Sequence, residues 1–177
     1  MEVFEPMVQR GYEWINCADP ADYEVFTSFD GSVRGAEWRP IPVVRVPADA
    51  QHEFKPSDFP WLGSDALVMR RTAVDALRDI LDVNGELLPL VTDDGVELFV
   101  LNARVTDALD IAKSSLMMFP GTQRILRVKK VAFVTSAIDG RDLFRLAHRA
   151  SSTYVSDRFV NRVREANLCG LVFNKVW

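Results

Sequence analysis

The sequence predicts an α+β fold: a β-rich N-terminal part followed by strand–helix–strand units on a mixed or antiparallel sheet. Three observations predict it. Arg71–Asn84 repeats its apolar residues with a helical period. Several short runs of β-branched and aromatic residues are bounded by Gly, Pro and Asp. No low-complexity stretch or long linker divides the 177 residues, so one α+β domain over 1–177 is expected, with 1–57 as its β-rich N-terminal part.

The elements follow in chain order. Within Met1–Val46, Tyr12–Asn16 alternates and Tyr23–Phe29 is dense in aromatic and β-branched residues, so both read as strands. Asp30-Gly31 marks a turn. Ile41–Val46 reads as a strand that Pro40, Pro42 and Pro47 confine to a sheet edge. Ala48–Ser57 is polar, a surface loop containing His52. Leu67–Arg70 is a short strand. In Arg71–Asn84 the residues Ala73, Val74, Leu77, Ile80 and Leu81 share one face, and Gly85 is the expected stop. Leu87–Val91 and Val96–Leu101 read as strands joined by the turn Thr92–Gly95. Asp107–Leu116 predicts a short helix closed by Gly121, and Ile125–Thr135 predicts a strand. Asp142–Ala147 fits a strand, or a helix that would align Arg141, Arg145 and Arg149. Ser156 suits the N-cap of a helix to about Asn167, with Phe159, Val160, Val163 and Ala166 inward. Leu171–Trp177 closes the chain as a strand with Trp177 packed. Ala66–Val91 and Asp142–Trp177 share one order of strand, helix, Gly and strand. That order fits a degenerate internal repeat or two ordinary units.

Composition excludes several classes. An apolar fraction of 48% is too high for a disordered chain, and a net charge of −4 with a pI near 5.2 argues against a uniformly basic nucleic-acid binder. Two cysteines cannot build a disulfide scaffold, so Cys17 and Cys169 are expected as free thiols. Glu2 and Glu5 break the pattern of a secretory signal, and no apolar run reaches the ~18 residues of a membrane span. A cytoplasmic location and no membrane partner are the expectation. His52 and His148 have no second ligand at metal spacing, and there is no phosphate-cradling loop, nucleophile elbow or zinc-protease motif. A His148–Cys169 pair has no local support. No catalytic, metal-ligating or cofactor-binding residue is assigned, and neither enzyme activity nor a cofactor is expected.

Charge is distributed unevenly. Residues 1–100 carry 8 Lys+Arg against 19 Asp+Glu, net −11, and residues 101–177 carry 13 against 6, net +7. On the first helix Asp75, Asp79 and Asp82 lie opposite the apolar face, and Asp93, Asp94 and Glu97 form a second acidic group at the hairpin. One reading is a solvated face partly paired with Arg71 and Arg78. The other is a negative surface for a basic protein, where charge speeds encounter. The basic part groups Arg124, Arg127, Lys129 and Lys130, then Arg141, Arg145 and Arg149, then Arg158 and Arg162. It fits nucleic-acid binding, or a half that folds against the acidic one and neutralises it.

Two groups of short words carry a resemblance. The first is Asp58-Phe59-Pro60-Trp61, then Ala73–Arg78 and Gly85–Leu90. The second is Asp142-Leu143-Phe144-Arg145, Tyr154–Phe159, Leu168–Phe173 and the closing Val176-Trp177. Over about Asp58–Trp177 the chain resembles the bacterial immunity-protein family numbered eleven in the polymorphic-toxin classification. It departs mildly at Cys169-Gly170, where that family often has Thr-Gly. The first 57 residues match no motif of it. The resemblance implies a protein that binds and neutralises a cognate toxin of a type VI or contact-dependent secretion system. The matching words look structural and are not carried over as a binding site. Combined with the charge layout, the expected partner is a basic, nuclease-like C-terminal toxin domain acting in the cytoplasm. Its expected contacts are Asp75, Asp79, Asp82, Asp93, Asp94 and Glu97, with no nucleic acid bound directly. The alternatives are a nucleic-acid-binding regulator that uses the basic half, or an unrecognised enzyme.

Overall fold

The computed structural model describes residues 1–48, 54–63, 65–148 and 151–177; His52 and Arg149 lie outside them. Among these residues there are twelve strands and four α-helices. The strands are β1 (Val3–Val8), β2 (Ile15–Cys17), β3 (Ile41–Arg45), β4 (Val68–Arg70), β5 (Gly85–Thr92), β6 (Leu98–Ala103), β7 (Val105–Thr106), β8 (Ser115–Met118), β9 (Ile125–Lys130), β10 (Leu143–Leu146), β11 (Thr153–Ser156) and β12 (Leu171–Lys175). The helices are α1 (Tyr23–Thr27), α2 (Arg71–Asn84), α3 (Thr135–Ile138) and α4 (Asp157–Glu165). The fold is α+β, as the sequence predicts.

Two five-stranded sheets form, in the orders β12-β1-β11-β10-β7 and β2-β3-β5-β6-β4, with β8-β9 as a separate ribbon. The two strand–helix–strand stretches share one plan. In β4–α2–β5 the parallel outer strands are separated by the antiparallel β6. In β11–α4–β12 the separating strand is β1, from the far N-terminus. The β6 strand continues through Arg104 into β7, so residues 98–106 serve both sheets. The N-terminal part is likewise shared, with β1 in the middle of one sheet and β2 and β3 in the other.

The helix pair organises the core. Ala73, Val74, Leu77, Ile80 and Leu81 of α2 and Phe159, Val160 and Val163 of α4 pack with Met69, Leu101, Leu143, Val155 and Leu171 from both sheets. The other face of the β2–β6 sheet is covered by Phe26 and Phe29, and that of the β1–β12 sheet by Phe133 and Ile138. Ser156 caps α4 by accepting the Phe159 N–H at 3.2 Å.

Several expectations are corrected. Tyr23–Phe29 starts as α1: Asp19 accepts the Ala21 N–H, Pro20 opens a 3-10 turn, and Tyr23, Phe26 and Phe29 stack edge to face at three-residue spacing. The strand β3 lies inside its sheet, between β2 and β5. Pro42 is tolerated because its missing donor faces Ala18, one residue past the end of β2, and Ala18 still donates to the Pro42 carbonyl. Gly85 ends α2 in an extended conformation and starts β5 directly; its role is close approach, since a Cβ would sit 2.7 Å from the Asn102 carbonyl oxygen. Asp107–Leu116 forms no helix. Asp110 closes one turn by accepting the Lys113 N–H, Ile111 is exposed, and the chain enters β8 at Ser115. Strand character after Gly121 ends at Lys130, and Thr135 belongs to α3. The ambiguous Asp142–Ala147 stretch is the strand β10. Ala166 is exposed, beyond the last turn of α4. Trp177 packs edge-on against Phe133, with its other side in solvent.

Candidate interaction surface

The apolar stripe of α2 dictates where its acids go. With Leu77, Ile80 and Leu81 in the core, Asp75, Asp79 and Asp82 face solvent. The β5–β6 hairpin places Asp93, Asp94 and Glu97 at its exposed end, and Gly95 supplies the positive φ (+72°) that the turn needs. The two groups meet at one point. Arg71, the first residue of α2, makes a two-pronged ion pair with Glu97 at 3.1 and 3.3 Å and lies over the Phe99 ring. The acids thus form one rim running from the hairpin along the helix.

Four of the six acids have partners within the chain. Asp79 accepts from Arg158 at 2.9 Å and Arg162 at 3.1 Å, both on α4. These bonds, that of Arg162 foremost, hold its carboxyl below the usual range. Glu97 is lowered by Arg71. Asp94 accepts the Val96 N–H, which lowers it, and pairs with Arg45 at 2.5 Å. Asp75 pairs with Arg78 at 3.4 Å. Asp82 and Asp93 are exposed and have no ion-pair partner among the described residues. The rim therefore alternates acids with arginines, and its unpaired charge is concentrated at Asp82 and Asp93.

The basic set is broken up more thoroughly. Arg145 is 1% exposed, in β10, and donates to the carbonyls of Ser151, Phe26 and Phe29. The fold therefore cannot align it with Arg141 on a helical surface. Arg158 is shared by Asp142 and Asp79, and Arg162 by Asp79 and the Ala76 carbonyl. Only Arg124, Arg127, Lys129 and Lys130 remain together, on the β8–β9 ribbon. Part of the opposed charge of the two halves is therefore cancelled where α2 meets α4.

Behind the hairpin lies a group that sequence reasoning missed. Glu13 is 6% exposed, with Arg70 at 2.5 Å, Arg45 at 3.1 Å and the Ser57 N–H at 2.9 Å. Arg45 continues the chain to Asp94, so the turn is anchored to the sheet through a buried carboxylate. The signal was present: Glu13 shares the buried parity of Ile15 and Cys17, and a carboxylate on that face needs cationic partners.

A second junction joins the two groups of resembling words. The Asp58 N–H donates to the Cys169 carbonyl at 3.0 Å, and the Cys169 N–H donates to Asp58 Oδ2 at 2.9 Å. Gly170 has φ +109°, and a Cβ there would fall 1.7 Å from Ser57 Oγ. Burial works against the Asp58 charge, but bonds from Thr72 and Cys169 carry its carboxyl below its ordinary value. The Cys169 thiol donates to Asp58 Oδ2 at 3.3 Å, and burial pushes it up, so it is held as a thiol. Its partner is a carboxylate, and His148 does not share in the bond. Burial and the neighbouring Arg145 lower His148. Cys17 is pushed up to about 11 by burial. No group of three or more His, Cys, Asp or Glu among the described residues is placed to hold a metal ion. A surface cleft is lined by Asp30, Glu86, Arg104 and Arg141. There Glu86 is occupied by the Arg34 and Gly35 N–H groups and Asp30 by Ser32. No helix of the described residues is long and apolar enough to cross a membrane.

Residues 96–177 match the immunity protein family (Imm11). This is the C-terminal part of the stretch that carries the resemblance: it spans β6 to β12 with α3 and α4. Of the six rim acids, Glu97 lies inside it. No curated protein matches the chain.

Proposed function

We propose that this protein is an immunity protein that binds and neutralises a cognate toxin acting in the cytoplasm. The observation that carries the reading is the match of residues 96–177 to the immunity protein family. We take the toxin to be a basic nuclease delivered by a type VI or contact-dependent system, and the acidic rim of α2 and the β5–β6 hairpin to be the contact surface. Nucleases grip phosphate with positive charge, and nuclease–immunity pairs are among the tightest complexes. Two features support the placement. Asp82 and Asp93 expose unpaired carboxylates, and the Arg71–Glu97 and Arg45–Asp94 pairs hold the hairpin end in one geometry beside the helix. Neutralisation by occlusion requires no reaction, cofactor or metal from this chain.

The experiment is to search the neighbouring reading frames for a toxin domain and to co-express the candidate with this protein. The expected outcome is growth of cells that the toxin alone kills, together with a stoichiometric complex of the two purified proteins. Cells that die despite stable expression of this protein, with no complex formed, would overturn the reading.

A further inference from the structure

Residues 111–138 contain no Asp or Glu and carry Lys113, Arg124, Arg127, Lys129 and Lys130. They include the β8–β9 ribbon, which is hydrogen-bonded to neither five-stranded sheet. Its base is fixed. Leu109 bridges to Phe133, the Asp110 N–H donates to the Ala132 carbonyl at 2.9 Å, the Val134 N–H donates to the Ala108 carbonyl at 2.8 Å, and Val128 packs on the Phe133 cluster. Beyond that base Met117, Met118, Phe119 and Leu126 are all exposed, Leu126 by 48%. Arg124 lies over the Phe119 ring, and Arg127, Lys129 and Lys130 have no ion-pair partner among the described residues.

Protection of a free strand edge explains exposed lysines. It does not explain four large apolar side chains beside them, which raise the risk of edge pairing. Met, Phe and Arg are enriched in protein contacts, and the two lysines beside them suit the polar rim of such a contact. A polyanion is the other partner such charge could take, but it would pair with the cations and leave Met117, Met118 and Leu126 in solvent.

We infer that the β8–β9 ribbon is a second toxin-contacting element that enters an acidic, apolar-walled cleft of the toxin. This inference rests on the proposed immunity function. A metal-dependent nuclease presents both charges. A basic surface grips the phosphates, and carboxylates hold the metal ions at the reacting centre. The acidic rim suits the first and the ribbon suits the second. The six residues of β9 give the ribbon a reach of about 20 Å.

The test uses an inactive variant of the toxin domain identified by the co-expression experiment, bound to wild-type protein, to R127E/K129E and to M118S/F119S. Each variant is also melted thermally to check its fold. The expected result is at least about a tenfold loss of affinity in either variant, through faster dissociation, with an unchanged melting temperature. If the wild type binds and both variants match it, the ribbon inference fails while the immunity reading stands. A wild type that does not bind overturns both. The same proteins are titrated against a labelled short DNA duplex and a single-stranded RNA. Binding by the wild type that R127E/K129E abolishes reassigns the ribbon to nucleic acid and overturns the inference. A dimer in light scattering that M118S/F119S dissolves reassigns it to a second copy, with the same consequence.

Discussion

At Gly170 the chain passes so close to Ser57 that no side chain fits. With φ at +109° and a Cβ position 1.7 Å from Ser57 Oγ, Gly170→Ala is expected to cost about 3 kcal/mol or more in a urea titration. Retained stability would mean that the two segments separate easily. The turn was legible from the glycine, but the near contact with a residue 113 positions away was not. Asp58, in the same joint, gives a pH prediction. Its carboxyl is lowered in the folded protein, so its contribution is present above the unfolded value of about 3.9 and is lost as the pH falls below it. Asp58→Asn should lower the melting temperature at pH 7, by roughly 1 kcal/mol of stability, and the difference from wild type should shrink towards pH 3. A difference independent of pH would assign the effect to packing.

Elements differed in how far sequence disclosed them. The helix α2 is legible to its ends because five apolar residues repeat from Ala73 to Leu81 and Gly85 follows, which local pattern alone can show. The helix α1 is not legible because its five residues are too few to show a period, and the Asp19 cap belongs to the 3-10 turn before it. For β10 the pattern could not choose, and the choice decides the fate of Arg145. That residue ties β10 to the end of α1 through the Phe26 and Phe29 carbonyls, with burial disfavouring its charge. Arg145→Met should destabilise the protein by about 3 kcal/mol in chemical denaturation, because it orphans the Ser151 and Phe29 carbonyls, while that of Phe26 keeps the Phe29 N–H. A neutral result would show that water or other donors reach them. On α2 the acids separate by role. Asp79→Arg should lower the thermal midpoint by repelling Arg158 and Arg162 of α4, whereas Asp82→Arg should leave it unchanged. Equal midpoints for the two variants would contradict the pairing.

For the whole molecule, the sequence alone could state a charge imbalance of −11 against +7 but not its geometry. Contact between α2 and α4 pairs part of it on the surface as Asp79–Arg158 and Asp79–Arg162. The rest stays outward, as acids near Asp82 and Asp93 and cations on the β8–β9 ribbon. The six proposed contact residues were legible as an acidic group. Their unequal availability was not: Arg78 pairs with Asp75 as its spacing suggests, but Arg71 turns from Asp75 to Glu97, and Arg45, Arg158 and Arg162 come from a distant strand or helix. The exposed acids are proposed to guide a basic toxin to this surface, and association kinetics read that role. The rate constant with an inactive toxin variant is measured at low and high salt for the wild type and for Asp82→Lys combined with Asp93→Lys. Association about tenfold or more slower is expected of the variant at low salt, with convergence of the two at high salt and weaker protection of toxin-expressing cells. Equal rates at low salt with undiminished protection would contradict it.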